Sequence, residues 1–123
     1  MPRIVAFTDA LRDGAVAPVP DRPRPDRLLR GNPARHTWSL FQSARGDVDC
    51  GVWTCETGAW RIAFAANKDE FFHVLAGRLR ITGEDGEARE FGPGDAGVIP
   101  AGFSGTFEVI EPVRKHYVVI ERP

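Results

Sequence analysis

Short apolar segments alternate with turn-forming residues along the chain from residue 36 to residue 121. The separators combine glycine with proline, aspartate or alanine, and such clusters favour reversals of chain direction. Nine short segments at near-even spacing are typical of an antiparallel barrel or a two-sheet sandwich. The predicted strands are residues 36–42, 51–56, 60–66, 70–75, 78–82, 88–91, 97–99, 105–110 and 114–121.

The first 35 residues have a different pattern. Five prolines fall within the sixteen residues from Pro18 to Pro33. Because proline fixes φ and has no backbone N–H, this density disfavours both a helix and a sheet ladder and predicts an irregular, extended arm. Apolar residues such as Val19 and Leu28 leave two interpretations open, an arm ordered on a surface or a floppy tail. We therefore divide the chain into a Pro-rich N-terminal arm, residues 1–35, and a single barrel, residues 36–123.

Composition and charge exclude several classes of protein. The 123 residues are 42% hydrophobic and 27% charged, with 16 basic and 17 acidic residues and a net charge of -1. This balance gives no general electrostatic affinity for nucleic acid or anionic lipid. No apolar run reaches the roughly eighteen residues that a membrane span requires. We expect a small-molecule ligand as partner, with no nucleic acid and no membrane.

Two cysteines, Cys50 and Cys55, lie five positions apart. On one strand they would point to opposite faces, so they could not form a disulfide without a break in the backbone. The segment from Met1 to Leu11 has no apolar run of the length found in signal peptides. We interpret both cysteines as reduced thiols and expect a cytoplasmic protein.

The glycine, proline and glutamate residues of the predicted barrel keep the spacing of the two cupin motifs. The matching positions are Gly58, Glu70, Gly77, Gly94, Pro100 and Gly102. Three histidine positions of the motifs are instead occupied by Phe64, Ala66 and Gly105. The chain therefore resembles the cupin superfamily. The resemblance implies an all-β fold, the cupin-type double-stranded β-helix or jelly-roll barrel.

Residues 31–120 more narrowly resemble the ureidoglycine aminohydrolase-like cupin family. The resemblance rests on Gly31-Asn32-Pro33, Gly51-Val52-Trp53, Asp69-Glu70, Leu75-Ala76-Gly77, Pro100-Ala101-Gly102 and Val113-Arg114-Lys115. It implies a ligand of ureido, amide or amino-acid-like chemistry. The hydrolase activity itself does not carry over, because those enzymes resemble two barrels in tandem and depend on manganese.

The three replaced histidines bear on metal binding. Phe64, Ala66 and Gly105 have no side-chain lone pair to donate to a metal ion. Glu70 alone cannot hold a divalent cation, because such sites need three or four protein ligands. We therefore expect a metal-free barrel with no cofactor. One alternative stays open, an atypical metal site built from Glu70 and His116.

Strand alternation, counted from the three histidine positions, assigns an inner face to the barrel. The inward residues are Trp60, Ile62, Phe64, Ala66, Glu70, Phe72, Val74, Gly105, Phe107 and Val109. Glu70 is their one carboxylate, and a buried carboxylate must be protonated, hydrogen-bonded or paired with a cation. Lys115 and Tyr117 are the predicted inward partners, and the opposite parity would turn Arg114 and His116 inward instead. Lys115 reaching out to water and Tyr117 packing in the core stay open as alternatives.

The predicted site combines these polar groups with aromatic residues. Glu70, Lys115 and Tyr117 are the candidate catalytic residues. The candidate ligand-binding residues are Trp53, Trp60, Phe64, Phe72 and Phe107. Three functions stay open: a site for a small ureido, amide or amino-acid-like compound, a non-catalytic ligand-binding or regulatory module, and a metal-free sugar isomerase or epimerase with His116 as its base.

The same alternation predicts an apolar patch on the outer face of the barrel. Phe71, Leu75 and Val118 point away from the inner face, and a soluble monomer would avoid exposing such a patch. Because cupins commonly pair through a sheet face of this kind, the resemblance implies a homodimer.

Overall fold

Nine antiparallel strands form one curled sheet in the computed structural model, which describes residues 1–123 apart from the side chain of Asp13. The strands are β1 (Val19–Asp21), β2 (Leu28–Arg30), β3 (Arg35–Gln42), β4 (Val48–Cys55), β5 (Gly58–Ala63), β6 (Lys68–Gly83), β7 (Ala88–Phe91), β8 (Ala96–Ile99) and β9 (Ser104–Glu121). A short helix, α1 (Phe7–Leu11), and two single turns of 3-10 helix, Arg12–Gly14 and Pro25–Arg27, lie in the first 35 residues. No helix in the described part of the chain has the length and apolarity to cross a membrane. The prediction of an all-β barrel is confirmed.

The long strands β6 and β9 run through both halves of the barrel. The beginning of β9 pairs with β5 and its end pairs with β4, while β6 pairs first with β8 and then with β7. One half is therefore β1-β3-β4-β9-β6-β8, and the other is β2-β5-β9-β6-β7. The two halves are joined where β6 and β9 pass from one to the other.

Both strands bend where they pass from one half to the other. The sequence pattern predicted that strands end at this point. The pairing of β6 with β9 loses its regular register between Val74 and Leu79. Gly77 has a φ of 82° there, and a Cβ on it would overlap the carbonyl oxygen of Pro112. Irregular pairing of this kind bends a strand sharply without ending it. The predicted strands 70–75 and 78–82 are therefore one strand, β6, and the predicted strands 105–110 and 114–121 are one strand, β9.

Side chains of both halves meet in a hydrophobic core. The inward residues that are buried in it are Trp60, Phe72, Val74, Phe107 and Val109, as predicted. Ile62 and Phe64 are half-buried and pack against it. Ala66 is a correction, because β5 ends at Ala63 and Ala66 lies exposed in the turn that follows.

Two short strands within the first 35 residues, β1 and β2, lie at the two ends of the strand order. β1 pairs with β3, with Pro20 opposite His36, and β2 pairs with β5, with Leu28 opposite Trp60. The expectation that prolines exclude a sheet ladder is wrong for these strands, because an edge strand needs backbone donors on one side only. The ordered interpretation therefore holds for β1 and β2, which pair with strands of the same chain.

Candidate functional site

A cavity of about 560 Å³ opens into the inner face of the barrel. Seven of the eight predicted site residues line it: Trp53, Trp60, Phe64, Glu70, Phe107, Lys115 and Tyr117. The eighth, Phe72, is fully buried, and its ring centroid lies 5.0 Å from Nζ of Lys115. The structure thus brings all eight predicted residues together around one cavity.

Lys115 and Glu70 form an ion pair in this cavity. Nζ of Lys115 donates a hydrogen bond to Oε2 of Glu70 over 2.7 Å, and the two side chains are 5% and 13% exposed. The pairing of β6 with β9 sets Val74 opposite Lys115 and Val119 opposite Glu70, so both charged side chains project to the inner face. Of the three states considered for Glu70, pairing with a cation is observed, and Lys115 does not reach out to water.

Three aromatic rings surround the Lys115 ammonium group. Its Nζ lies 4.5 Å from the ring centroid of Trp53, 5.0 Å from that of Phe72 and 5.1 Å from that of Phe107. Ring faces at such distances attract a cation that has lost its water shell. The rings and Glu70 together explain how a lysine is accommodated at 4% exposure. We call these three rings the aromatic cage.

The aromatic residues of the cavity divide into two kinds. Trp60 stacks on Phe107 with ring centroids 5.0 Å apart, and the two residues are only 5% and 3% exposed. Both therefore serve mainly to pack the core. Trp53 and Phe64 are half-buried and line the cavity. Nζ of Lys68, another lining residue, lies 4.7 Å from the ring centroid of Phe64.

Tyr117 belongs to a second polar group in the cavity. Its hydroxyl donates to Oδ1 of Asp49 over 3.2 Å, and Oγ of Ser39 donates to the same oxygen over 2.6 Å. Burial, followed by the negative charge of Asp49, raises the pKa of Tyr117 far above its ordinary value. The hydroxyl therefore stays protonated at neutral pH and acts as a hydrogen-bond donor.

Asp49 and Ser39 are two residues of the cavity region that the sequence pattern did not indicate. The predicted strand began at Gly51, whereas β4 begins at Val48. Every second residue of a strand lies on the same face, so Asp49 shares a face with Gly51 and Trp53. Extending the predicted strand by three residues would therefore have placed Asp49 on the same face as Trp53. Ser39 lies opposite Gly51 on the neighbouring strand, and only the pairing of β3 with β4 reveals it.

Arg35 and Asp21 form another ion pair in the cavity lining. Nε and Nη2 of Arg35 donate to the two carboxylate oxygens of Asp21 over 2.8 Å and 2.7 Å. The guanidinium carbon also lies 5.2 Å from the ring centroid of Trp60. Because Asp21 is on β1, the N-terminal segment contributes directly to the cavity.

The three cupin histidine positions do not fit a metal ion. Phe64 lines the cavity with a ring, Ala66 is exposed in a turn, and a Cβ at Gly105 would overlap the carbonyl oxygen of Thr82. Within the described side chains, no three from His, Cys, Asp and Glu are placed to hold a metal ion together. The residues present therefore do not suit the divalent ion of metal-binding cupins.

His116 lies on the outer face of the barrel. Its ring centroid is 6.4 Å from that of His73 and 5.3 Å from that of Phe7, which α1 sets edge-on against it. Burial, followed by the charges of His73 and Arg114, lowers the pKa of His116. This position contradicts both alternatives that set His116 beside Glu70, the atypical metal site and the epimerase base.

Known proteins share this barrel. Residues 42–117 match a family model described as an EutQ-like cupin domain. The EutQ protein of Clostridium difficile is 26% identical, with 82% of this chain and 80% of that chain covered and a TM-score of 0.62. A protein of unknown function from Pseudomonas syringae is 22% identical over 83% of this chain, with a TM-score of 0.74. Ectoine synthase from P. lautus is 11% identical, with 98% of this chain and 78% of that chain covered and a TM-score of 0.66.

These similarities differ in what they show. The chain spans 43% of the length of the Pseudomonas protein. At 22% and 11% identity, the Pseudomonas protein and ectoine synthase share the fold alone with this chain. A comparison with curated proteins gives no match.

Proposed function

Because this chain belongs to the family of EutQ-like cupin domains, we propose that its barrel binds a small polar molecule in the cavity lined by Lys115 and Glu70. The observation that carries the proposal is their buried ion pair. Burying two charges is costly, and well-packed apolar side chains often stabilise a protein equally well. The cavity of about 560 Å³ combines aromatic rings with charged side chains, and polar groups that converge on such a cavity can orient a small ligand.

The hydrogen-bonding groups that the ion pair leaves free favour an amide or ureido ligand. Lys115 uses one of its three N–H donors on Oε2 of Glu70, and no described side chain donates to Oε1 of Glu70. A ligand carbonyl could accept from Lys115 while a neighbouring N–H group donates to Glu70. Ureido, amide and amino-acid-like compounds carry both kinds of group. The resemblance to the ureidoglycine aminohydrolase-like cupins supports the same chemistry.

Asp49 offers such a ligand a second contact. Ser39 and Tyr117 both donate to one of its carboxylate oxygens, which leaves the other oxygen for an N–H group. Trp53 and Phe64 would cover the ligand and exclude water from these contacts. Glu70, Lys115 and Asp49 would thus provide the polar contacts to the ligand, and Tyr117 would hold Asp49 in place.

A Glu70→Gln variant is expected to bind at least about tenfold more weakly, because hydrogen bonds to charged groups contribute about 1.5–3 kcal/mol. A thermal-shift screen of small uncharged ureido compounds, amides, amino acids and sugars identifies the ligand, and isothermal titration calorimetry measures its affinity. Glu87→Gln is the matched control, because Glu87 is an exposed glutamate between β6 and β7. Equal affinities for the wild type and the Glu70→Gln variant would contradict the proposal.

We also propose a homodimer that forms through the outer face of the sheet. Five apolar residues, one on each of five neighbouring strands, lie side by side on the outer face. This outer apolar row consists of Phe41, Cys50, Val118, Phe71 and Val98. Phe41, Phe71 and Val98 are 41%, 45% and 61% exposed. An apolar row on a sheet face suits a second copy of the same face related by twofold symmetry.

Phe71→Glu is expected to convert this dimer to a monomer, because it would set a carboxylate without a partner inside the interface. Size-exclusion chromatography with light scattering at micromolar protein concentration measures the mass. Leu29→Glu is the matched control, since Leu29 is 50% exposed but lies on β2 in the other half of the barrel. A monomeric wild type, or a Phe71→Glu variant that stays dimeric, would rule out this interface.

Both cysteines lie on β4 as free thiols. Cys55 is buried, and burial raises its pKa to about 12, which keeps the thiol protonated and unreactive at neutral pH. We propose that the protein works in the cytoplasm, where unpaired thiols stay reduced.

A further inference from the structure

Lysine is used in this chain only at the cavity. Of its sixteen basic residues, fourteen are arginine and two are lysine, Lys68 and Lys115, and both lysines line the cavity. Lysine and arginine carry the same charge, but only lysine readily gives up its proton in a buried site and attacks a carbonyl carbon. The choice of lysine at position 115 in an arginine-rich chain therefore indicates chemistry beyond charge.

We propose that Lys115 captures a small aldehyde or ketone as a protonated imine. The proposal rests on the ligand cavity of the proposed function and adds a covalent step to it. Lys115 lines the cavity, and its Nζ is surrounded by aromatic rings and lies 2.7 Å from Oε2 of Glu70. A nucleophile, a proton acceptor at hydrogen-bond distance and room for a small substrate are thus present together.

Glu70 alone can accept and return each proton that moves in this reaction. The Lys115 ammonium passes a proton to Glu70, and the resulting amine forms a C–N bond with the carbonyl carbon while the carbonyl oxygen takes up that proton. The nitrogen then gives a second proton to Glu70, which leaves a neutral carbinolamine. Loss of the hydroxyl group with this second proton releases one water and leaves a protonated imine on Lys115 beside the Glu70 carboxylate.

The aromatic cage suits the product of this reaction as well as the resting lysine. A protonated imine carries its positive charge on the same nitrogen, 4.5–5.1 Å from the centroids of Trp53, Phe72 and Phe107. The attraction between cation and ring faces is therefore kept along the reaction.

The charge of the cavity narrows the class of carbonyl compound. Five acidic residues line it, Asp21, Asp47, Asp49, Glu70 and Glu121, against three basic residues, Arg35, Lys68 and Lys115. Arg35 and Lys115 are already paired with Asp21 and Glu70. An excess of negative charge repels an anionic keto acid, so the substrate class is an uncharged or amine-bearing aldehyde or ketone.

Reductive trapping tests the proposal on the intact protein. The protein is incubated with propionaldehyde and sodium cyanoborohydride, and each modified amine is quantified by peptide mass spectrometry over time. Lys68 and the amino group of Met1 are internal references, so Lys115 has one competing lysine in the chain. We expect Lys115 to gain a propyl group at least about tenfold faster than Lys68, an effect within reach of a single positioned proton acceptor.

Two variants make the result specific. Glu70→Gln should slow the trapping of Lys115 to the rate of Lys68, and thermal unfolding checks that this variant is folded. In Lys115→Arg, trapping should be confined to Lys68 and Met1. Trapping of Lys115 in the wild type at or below the rate of Lys68 would overturn carbonyl capture. If the protein still binds a ureido or amide compound in that case, only carbonyl capture is contradicted. If Lys115 is trapped but no ureido or amide compound binds, the proposed ligand class is contradicted and carbonyl capture is supported.

Discussion

A Lys115→Met variant is expected to lose about 3–5 kcal/mol of stability, the usual cost of removing one partner of a buried ion pair. Glu70, whose side chain is 13% exposed, would lose the cation that lies 2.7 Å from its Oε2 atom. Methionine retains much of the length of lysine, so the loss comes mainly from the unpaired charge and little from an empty space. Urea unfolding followed by tryptophan fluorescence measures the change in free energy.

The double variant Lys115→Met, Glu70→Leu is the control for this result. Replacing both charges with apolar side chains should recover much of the lost stability, because such replacements are often neutral. Glu70→Gln alone should cost less than Lys115→Met, because the aromatic cage still holds the ammonium. A Lys115→Met variant within about 1 kcal/mol of the wild type would mean that water screens the pair as it screens a surface salt bridge.

A Gly77→Ala variant is expected to be among the most destabilising substitutions in the barrel. The φ of Gly77 is 82°, and a left-handed backbone costs an alanine about 1–2 kcal/mol. The added Cβ would also overlap the carbonyl oxygen of Pro112 at the bend of β6 and β9. Because backbone on both strands must move to relieve this overlap, we expect a total loss above about 3 kcal/mol in urea unfolding.

A Gly86→Ala variant separates the cost of a left-handed backbone from the cost of the overlap with Pro112. Gly86 has a φ of 86°, and a Cβ on it would have no atom within 4 Å. This variant should therefore lose only the conformational part, about 1–2 kcal/mol. Equal losses in the two variants would show that close contact between the strands does not determine the bend.

The polar centre of the site could be predicted from the sequence because side chains in a strand alternate strictly. Counting in twos placed Lys115 and Tyr117 on one face of the last strand, and the prediction that this face points inward put them beside Glu70. The structure joins Lys115 to Glu70 directly. The count failed at Ala66, where β5 had already ended. It also omitted Asp49, because the predicted strand began at Gly51 and β4 begins three residues earlier, at Val48.

Contacts that depend on distant strand pairing could not be read from local pattern. Ala76-Gly77 has the composition of a turn, and only the partner strand β9 makes it a bend within a continuous strand. Asp21 meets Arg35 because β1 pairs with β3, and nothing near Asp21 in the sequence marks this edge as available. Local residues thus indicate where the chain can change direction, while the pairing of strands decides how it does.

The Lys115–Glu70 pair is the centre of the proposed site, and a crystal structure of the protein with its tightest-binding ureido or amide compound is the most direct test. We predict a ligand inside the cavity, with its carbonyl oxygen accepting from Nζ of Lys115 and its N–H group donating to Glu70. A ligand bound outside the cavity, or a Lys115 side chain turned to solvent away from Glu70, would contradict the proposed site.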